Sequence, residues 1–146
     1  MSRLEPLARA AYPLVRRVPL RWDDVDIYGH VNNVVYLALF DTAVNGWYVE
    51  GGLLDPARSA RVFLVVETGA QYFRELRFGE DVEVGIRVTR LGSSSVTYDL
   101  GVFGEGDPAR ARGRFVHVLV DQSTRRPVAI EGPTRTALAR LEGEGA

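Results

Sequence analysis

After Asn33 and as far as about Glu50 the chain carries a run, VVYLALFDTAVNGWYVE, that is apolar on nearly every side, with Asp41, Thr42 and Asn45 as the main exceptions. A helix at a protein surface shows one apolar stripe and one polar face. This run has too little polar face for that, so the sequence predicts a largely buried helix, stopped by Gly51-Gly52. Such a helix needs a partner surface that curls around it.

Around the run the hydrophobic period changes to two. Residues 14–22, LVRRVPLRW, read as a short strand. After the helix, residues 62–66 are continuously apolar, and Gly69 suggests a bulge or kink before an extended stretch at 70–78. Val82, Val84, Ile86 and Val88 alternate with Glu83, Gly85, Arg87 and Thr89, and Val96, Tyr98, Leu100 and Val102 repeat the pattern. Residues 111–120 read as a further strand and 134–142 as a short terminal helix. The segments GED, LGSSS, GEGDP and DQSTRRP are short and turn-rich, so consecutive strands are expected to be antiparallel neighbours. The expectation is an α+β fold: one domain over residues 1–146, core about 16–130, with an antiparallel sheet wrapped around one long central helix.

Several function classes drop out at once. A net charge of −1 gives no general attraction to nucleic acid or to an anionic membrane, and the eighteen basic residues, all arginine, form no dense cluster. With no cysteine there is no disulfide, thiolate catalysis or cysteine metal site. The two histidines, His30 and His117, are far apart, so no metal site is expected, and His117, inside an apolar strand, reads as a satisfied core or interface residue. The N-terminus lacks a signal-peptide core and no segment reaches membrane-spanning length, so a cytoplasmic protein is expected. GEGDPA at 104–109 formally matches a dinucleotide fingerprint, but an alternating strand follows it instead of a helix.

The chemistry concentrates in RWDDVDIYGHVNNVVY, residues 21–36, where a strand gives way to the helix. Read on its own, Asn32 is a helix cap and Asp26 a turn residue. Backbone N–H groups in the first turn of a helix carry partial positive charge and suit a developing oxyanion. Gly29 lets backbone approach a ligand closely. Glu67, at the end of an apolar run, is a candidate for lining a pocket, although a strand-end carboxylate is the commoner case.

DDVDIYGHVNNVVY followed by an apolar helix resembles the signature of hotdog-fold acyl thioesterases of the 4-hydroxybenzoyl-CoA thioesterase family. RFGEDVEVGIRVTRLGSSSVTYDL and FVHVLVDQSTRRPVAI resemble that family's later strands, so the likeness runs from about Arg16 to Ile130. It implies an acyl-CoA thioesterase that needs no cofactor or metal. Asp26 would be nucleophile or general base, selected over Asp23 and Asp24, and the amide of Asn33 would polarise the carbonyl. His30 would either join the catalytic set or brace the loop, with Tyr28, Gly29, Val31 and Tyr36 binding substrate. In the related plant acyl-carrier-protein thioesterases an Asp-x-Asn-x-His pattern supplies a catalytic histidine; His30 falls on that position, with Tyr28 where the asparagine stands. The resemblance also implies a homodimer or homotetramer. Arg74, Arg77, Arg90, Arg125 and Arg126 are candidates for the phosphates of coenzyme A. Two other readings on the same fold are a non-catalytic acyl-CoA-binding protein and an acyl-CoA hydratase or dehydratase.

Overall fold

The computed structural model describes residues 2–143. In chain order its elements are β1 (Leu14–Arg17), α1 (Val35–Glu50), β2 (Arg61–Tyr72), β3 (Glu83–Leu91), β4 (Ser95–Phe103), β5 (Ala111–Asp121) and α2 (Gly132–Ala139). The five strands form one sheet in the order β1-β3-β4-β5-β2, with every neighbouring pair antiparallel. The expected α+β arrangement, a sheet wrapped on one long helix, is therefore observed.

Local chemistry sets the element ends. β1 stops well short of Trp22, because Val18 N–H still reaches the Val82 carbonyl at 2.9 Å but Pro19 has no N–H to continue. β2 does bulge, at Val66 and not at Gly69: Val65 pairs with His117 and Glu67 with the next partner, Val116. The extended stretch expected to reach Phe78 ends at Tyr72. The predicted hairpin between β2 and β3 does not form either. β2 pairs with β5, and β3 lies between β1 and β4. Residues 73–82 leave the sheet instead: Phe73 and Arg74 donate their N–H groups to the Arg110 carbonyl, and Leu76 and Phe78 bond the loop before α1.

Helix α1 is buried on one face, through Tyr36, Leu39, Phe40, Ala43, Val44 and Tyr48. That is narrower than its composition suggests, and Val49 together with the preceding Val34 stays exposed. The buried face meets Val84, Ile86, Val88, Val96, Tyr98, Leu100, Val102 and Phe115 in one core cluster, which Leu138 and Leu141 extend to the end of the chain. The Phe40 ring can approach β5 closely because Gly113 has no side chain. A Cβ there would overlap the Phe40 ring and sit 3.0 Å from the Gly69 carbonyl. The outer face of the sheet is covered by the N-terminal segment: the Tyr12 ring rests on Gly85 and Gly101. Beneath it Asp99 is held by Arg87 at 2.6 Å and Arg112 at 2.7 Å.

His117 sits among the rings of Tyr48, Phe63, Tyr98 and Phe115. It is a core residue as expected, but not a satisfied one, since its Nδ1 has no hydrogen-bond partner among the described residues. Tyr48 and Tyr98 hydrogen-bond each other through their hydroxyls. Burial pushes the His117 imidazole down to about 4 from 6.5.

Two outcomes follow from this packing. Gly113→Ala should lower the urea-unfolding free energy by about 1–3 kcal/mol, through displacement of Phe40. The folded imidazole binds its proton less readily than the unfolded one, so stability should be full above pH 6.5 and fall as pH drops toward about 4. The loss amounts to on the order of 3 kcal/mol over that window. Denaturant titrations of His117→Phe and wild type should show this part of the acid slope only in the wild type.

Candidate active site

The loop before α1 is a closed backbone unit. Val25 bridges Val31, Asp26 N–H donates to the His30 carbonyl at 2.8 Å, and Gly29 N–H donates to the Asp26 carbonyl at 3.0 Å. Gly29, at φ 77°, makes the reversal possible. Inside this turn Asp26 Oδ1 accepts the N–H groups of Tyr28 at 2.8 Å and His30 at 3.1 Å. Its second oxygen, Oδ2, has no partner among the described residues. Asp24 has a different role. It is buried, and its Oδ2 accepts Arg21 N–H at 2.7 Å while its carbonyl takes Asn32 N–H at 2.9 Å.

Ahead of the helix Asn32 Oδ1 accepts Val34 N–H at 3.3 Å, a turn bond and not the expected cap: the cap position of α1 is Val34, which has no side-chain capping bond. The Asn33 N–H has no partner among the described residues. The Asn33 carbonyl is fixed by the Tyr72 hydroxyl, which donates to it at 3.0 Å. Tyr36 stands edge-on to Tyr72, with ring centroids 5.0 Å apart, and its hydroxyl accepts Leu76 N–H at 3.3 Å. Burial raises both phenols above the usual tyrosine value, so each stays protonated near neutral pH.

The segment after β2 forms the opposite wall. Val31 N–H donates to the Leu76 carbonyl at 2.9 Å and Phe78 N–H to the Gly29 carbonyl at 3.2 Å, while His30 bridges Arg77. These bonds bring His30 Nε2 to 3.2 Å from Glu75 Oε2. Between the walls lies a cavity of about 400 Å³. Of the residues expected from sequence, Asp26, His30, Val31, Asn33 and Tyr36 line it. Gly29 and Tyr28 do not; Tyr28 is 74% exposed at the loop tip.

Sequence reasoning missed Tyr72, Phe73 and Glu75 on the facing wall. Their only signal was proximity in chain to Arg74 and Arg77. Glu67 lies outside the cavity, paired with Arg114 at 2.6 Å on the exposed edge of the sheet. A neighbouring cavity of about 600 Å³ shares Phe73, Arg74 and Glu75 and adds Arg77 and Arg110. Arg110 is engaged there by Glu80 at 2.7 Å. Burial alone would raise the Glu80 carboxyl, but bonds from Arg110 and two backbone amides hold it below its usual value. Arg90, Arg125 and Arg126 line neither cavity.

The sequence model of the thioesterase-like superfamily matches residues 20–138. The crystal structure of the PA5185 protein from Pseudomonas aeruginosa is similar at a TM-score of 0.92 and 46% identity, covering 97% of this chain and 100% of that one. A thioesterase from Thermus thermophilus, solved as a complex with coenzyme A and zinc, superposes at a TM-score of 0.72 with 30% identity, over 90% of this chain and 96% of that one. The uncharacterized protein YsmA of Bacillus subtilis is 23% identical over 122 residues, 83% of this chain and 82% of its own.

The two aspartates should separate cleanly in stability. Asp24→Ala removes a buried acceptor of a backbone N–H and should cost about 1–2 kcal/mol. Asp26→Ala frees only amides in an exposed turn and should cost clearly less. Urea unfolding of the two variants beside the wild type measures the difference.

Proposed function

Because the chain belongs to the thioesterase-like superfamily, and has its hotdog fold, we propose that it is an acyl-CoA thioesterase of the 4-hydroxybenzoyl-CoA thioesterase type, releasing a free carboxylic acid and coenzyme A. One observation carries the reading. Asp26, with an unengaged carboxylate oxygen, and Asn33, with an unengaged N–H just ahead of α1, line the same cavity. Thioester hydrolysis needs that combination: a group that attacks the carbonyl or activates water, and a donor for the charge developing on oxygen.

In this reading Asp26 Oδ2 attacks the thioester carbonyl or takes a proton from the attacking water. Oδ1 stays bound to the Tyr28 and His30 amides, so the carboxylate is held in one orientation. The Asn33 N–H receives the oxyanion, and Tyr72, bonded to the Asn33 carbonyl, keeps that stretch of backbone from rotating. Val31 and Tyr36 meet the acyl group. The loop tip with Tyr28 and Gly29 borders the entrance. Arg74 and Arg77, on the adjoining cavity, take the phosphates of coenzyme A; the choice of ligand is supported by the Thermus thioesterase having been solved with that molecule. The enzyme works in the cytoplasm without a cofactor.

A homodimer, or a dimer of dimers, fits the same surface. β2 is a twelve-residue edge strand, and Val34, Val65, Val66 and Tyr72 are exposed along and beside it. Pairing two such edges would cover unpaired backbone and apolar side chains together, next to the cavity.

The test is thiol release from short, medium, long and aromatic acyl-CoAs by wild type and Asp26→Asn. Wild type should turn over part of the panel, and the variant should lose roughly a hundredfold or more in kcat while keeping its fold. Binding without turnover across the panel would instead make this an acyl-CoA-binding protein. Equal rates in both proteins would remove Asp26 from the chemistry.

A further inference from the structure

Resting on the thioesterase reading of the same cavity, we propose that Glu75 is a positioning residue that holds His30 as proton donor to the departing thiolate. His30 Nε2 lies 3.2 Å from Glu75 Oε2, and both residues line the cavity with Asp26. The placement is built by backbone. Val31 N–H to the Leu76 carbonyl and the bridge between His30 and Arg77 set the two stretches side by side, so Glu75 meets the ring from the opposite wall.

The pair does little for the fold. The Glu75 side chain is 64% exposed, and exposed ion pairs contribute little to stability. The loop is already closed without it. What the pair does supply is orientation of an imidazole by a carboxylate, the arrangement that fixes which ring nitrogen faces a substrate. With Nε2 turned to Glu75, Nδ1 is the nitrogen left for chemistry.

The reaction has a use for that nitrogen. Asp26 takes a proton from water as hydroxide adds to the carbonyl carbon, and the oxyanion collects at the Asn33 N–H. Collapse breaks the C–S bond, and the thiolate takes the Nδ1 proton of the imidazolium. His30 gives up that proton with Nε2 still facing Glu75. Asp26 then returns its proton to His30 through solvent, and the net change is thioester plus water to acid plus thiol. Asp26 could carry its own proton to sulfur, but a donor already placed on His30 lets protonation coincide with C–S cleavage.

The test compares the acyl-CoA that wild type turns over best with the thiophenyl thioester of the same acid, whose arylthiolate departs without needing a proton. Glu75→Gln should lower kcat on the acyl-CoA by roughly tenfold with KM little changed, and leave the thiophenyl substrate nearly unaffected. In a His30→Asn background the same substitution should add no further loss. Glu75→Ala, which removes the acceptor altogether, should match or exceed the effect, and melting curves should overlay the wild type for each variant. Wild-type rates in Glu75→Gln, equal losses on both leaving groups, or a loss that adds to that of His30→Asn would each overturn the assignment. Activity that dies with Asp26→Asn but survives Glu75→Gln sinks this proposal alone. A wild type inactive on every acyl-CoA sinks the thioesterase reading and this one together.

Discussion

Helix α1 has to bury Tyr36, Leu39, Phe40, Ala43, Val44 and Tyr48 against one sheet, and that requirement dictates most of what surrounds it. The sheet supplies alternating apolar residues from β3, β4 and β5, and Gly113 clears the space into which Phe40 settles. Once the helix is seated, its N-terminus emerges at the edge where β2 ends. The connection from β2 to β3 then runs past that N-terminus, and its backbone groups must find partners there. Leu76 and Phe78 find them in the loop at 25–31, and Phe73 and Arg74 at the Arg110 carbonyl. The cavity is what remains between two loops that are each other's hydrogen-bond partners.

The general architecture could be read from periodicity. The central helix, its stop at the double glycine, and the alternating strands at 82–88 and 96–102 all stand close to where hydrophobic spacing places them. The strand order could not. Turn-rich segments identify hairpins only when both flanking stretches stay in the sheet, and GED at 79–81 follows a stretch already outside it. The bulge at Val66 was invisible for a related reason: it is set by register against β5, not by any glycine. Helix exposure was misjudged because composition counts apolar residues without saying how much of the helix one sheet can cover.

The candidate site divides along the same line. Residues contiguous with the loop were legible, since Asp26, His30, Val31, Asn33 and Tyr36 share one local motif and line the cavity. Asp24 and Asp26 look alike as letters. Their difference is one of burial: Asp24 turns inward to cap Arg21, and Asp26 turns toward the opening. The facing wall of Tyr72, Phe73 and Glu75 comes from some forty residues further on, and only the crossing of the chain brings it near. No spacing rule within a single segment carries that information.

The strand order also bears on how such a chain is made. β2, synthesised soon after α1, has a sheet partner only in β5, the last strand to be completed, and β1 must wait for β3. Contacts so distant in sequence form slowly, because long loops must close before they are rewarded. During synthesis the apolar face of α1 and both sides of β2 remain uncovered until nearly the whole chain has left the ribosome. A chain truncated before β5 would keep β2 without its partner and Phe40 without its seat, and would be a substrate for chaperones or for aggregation.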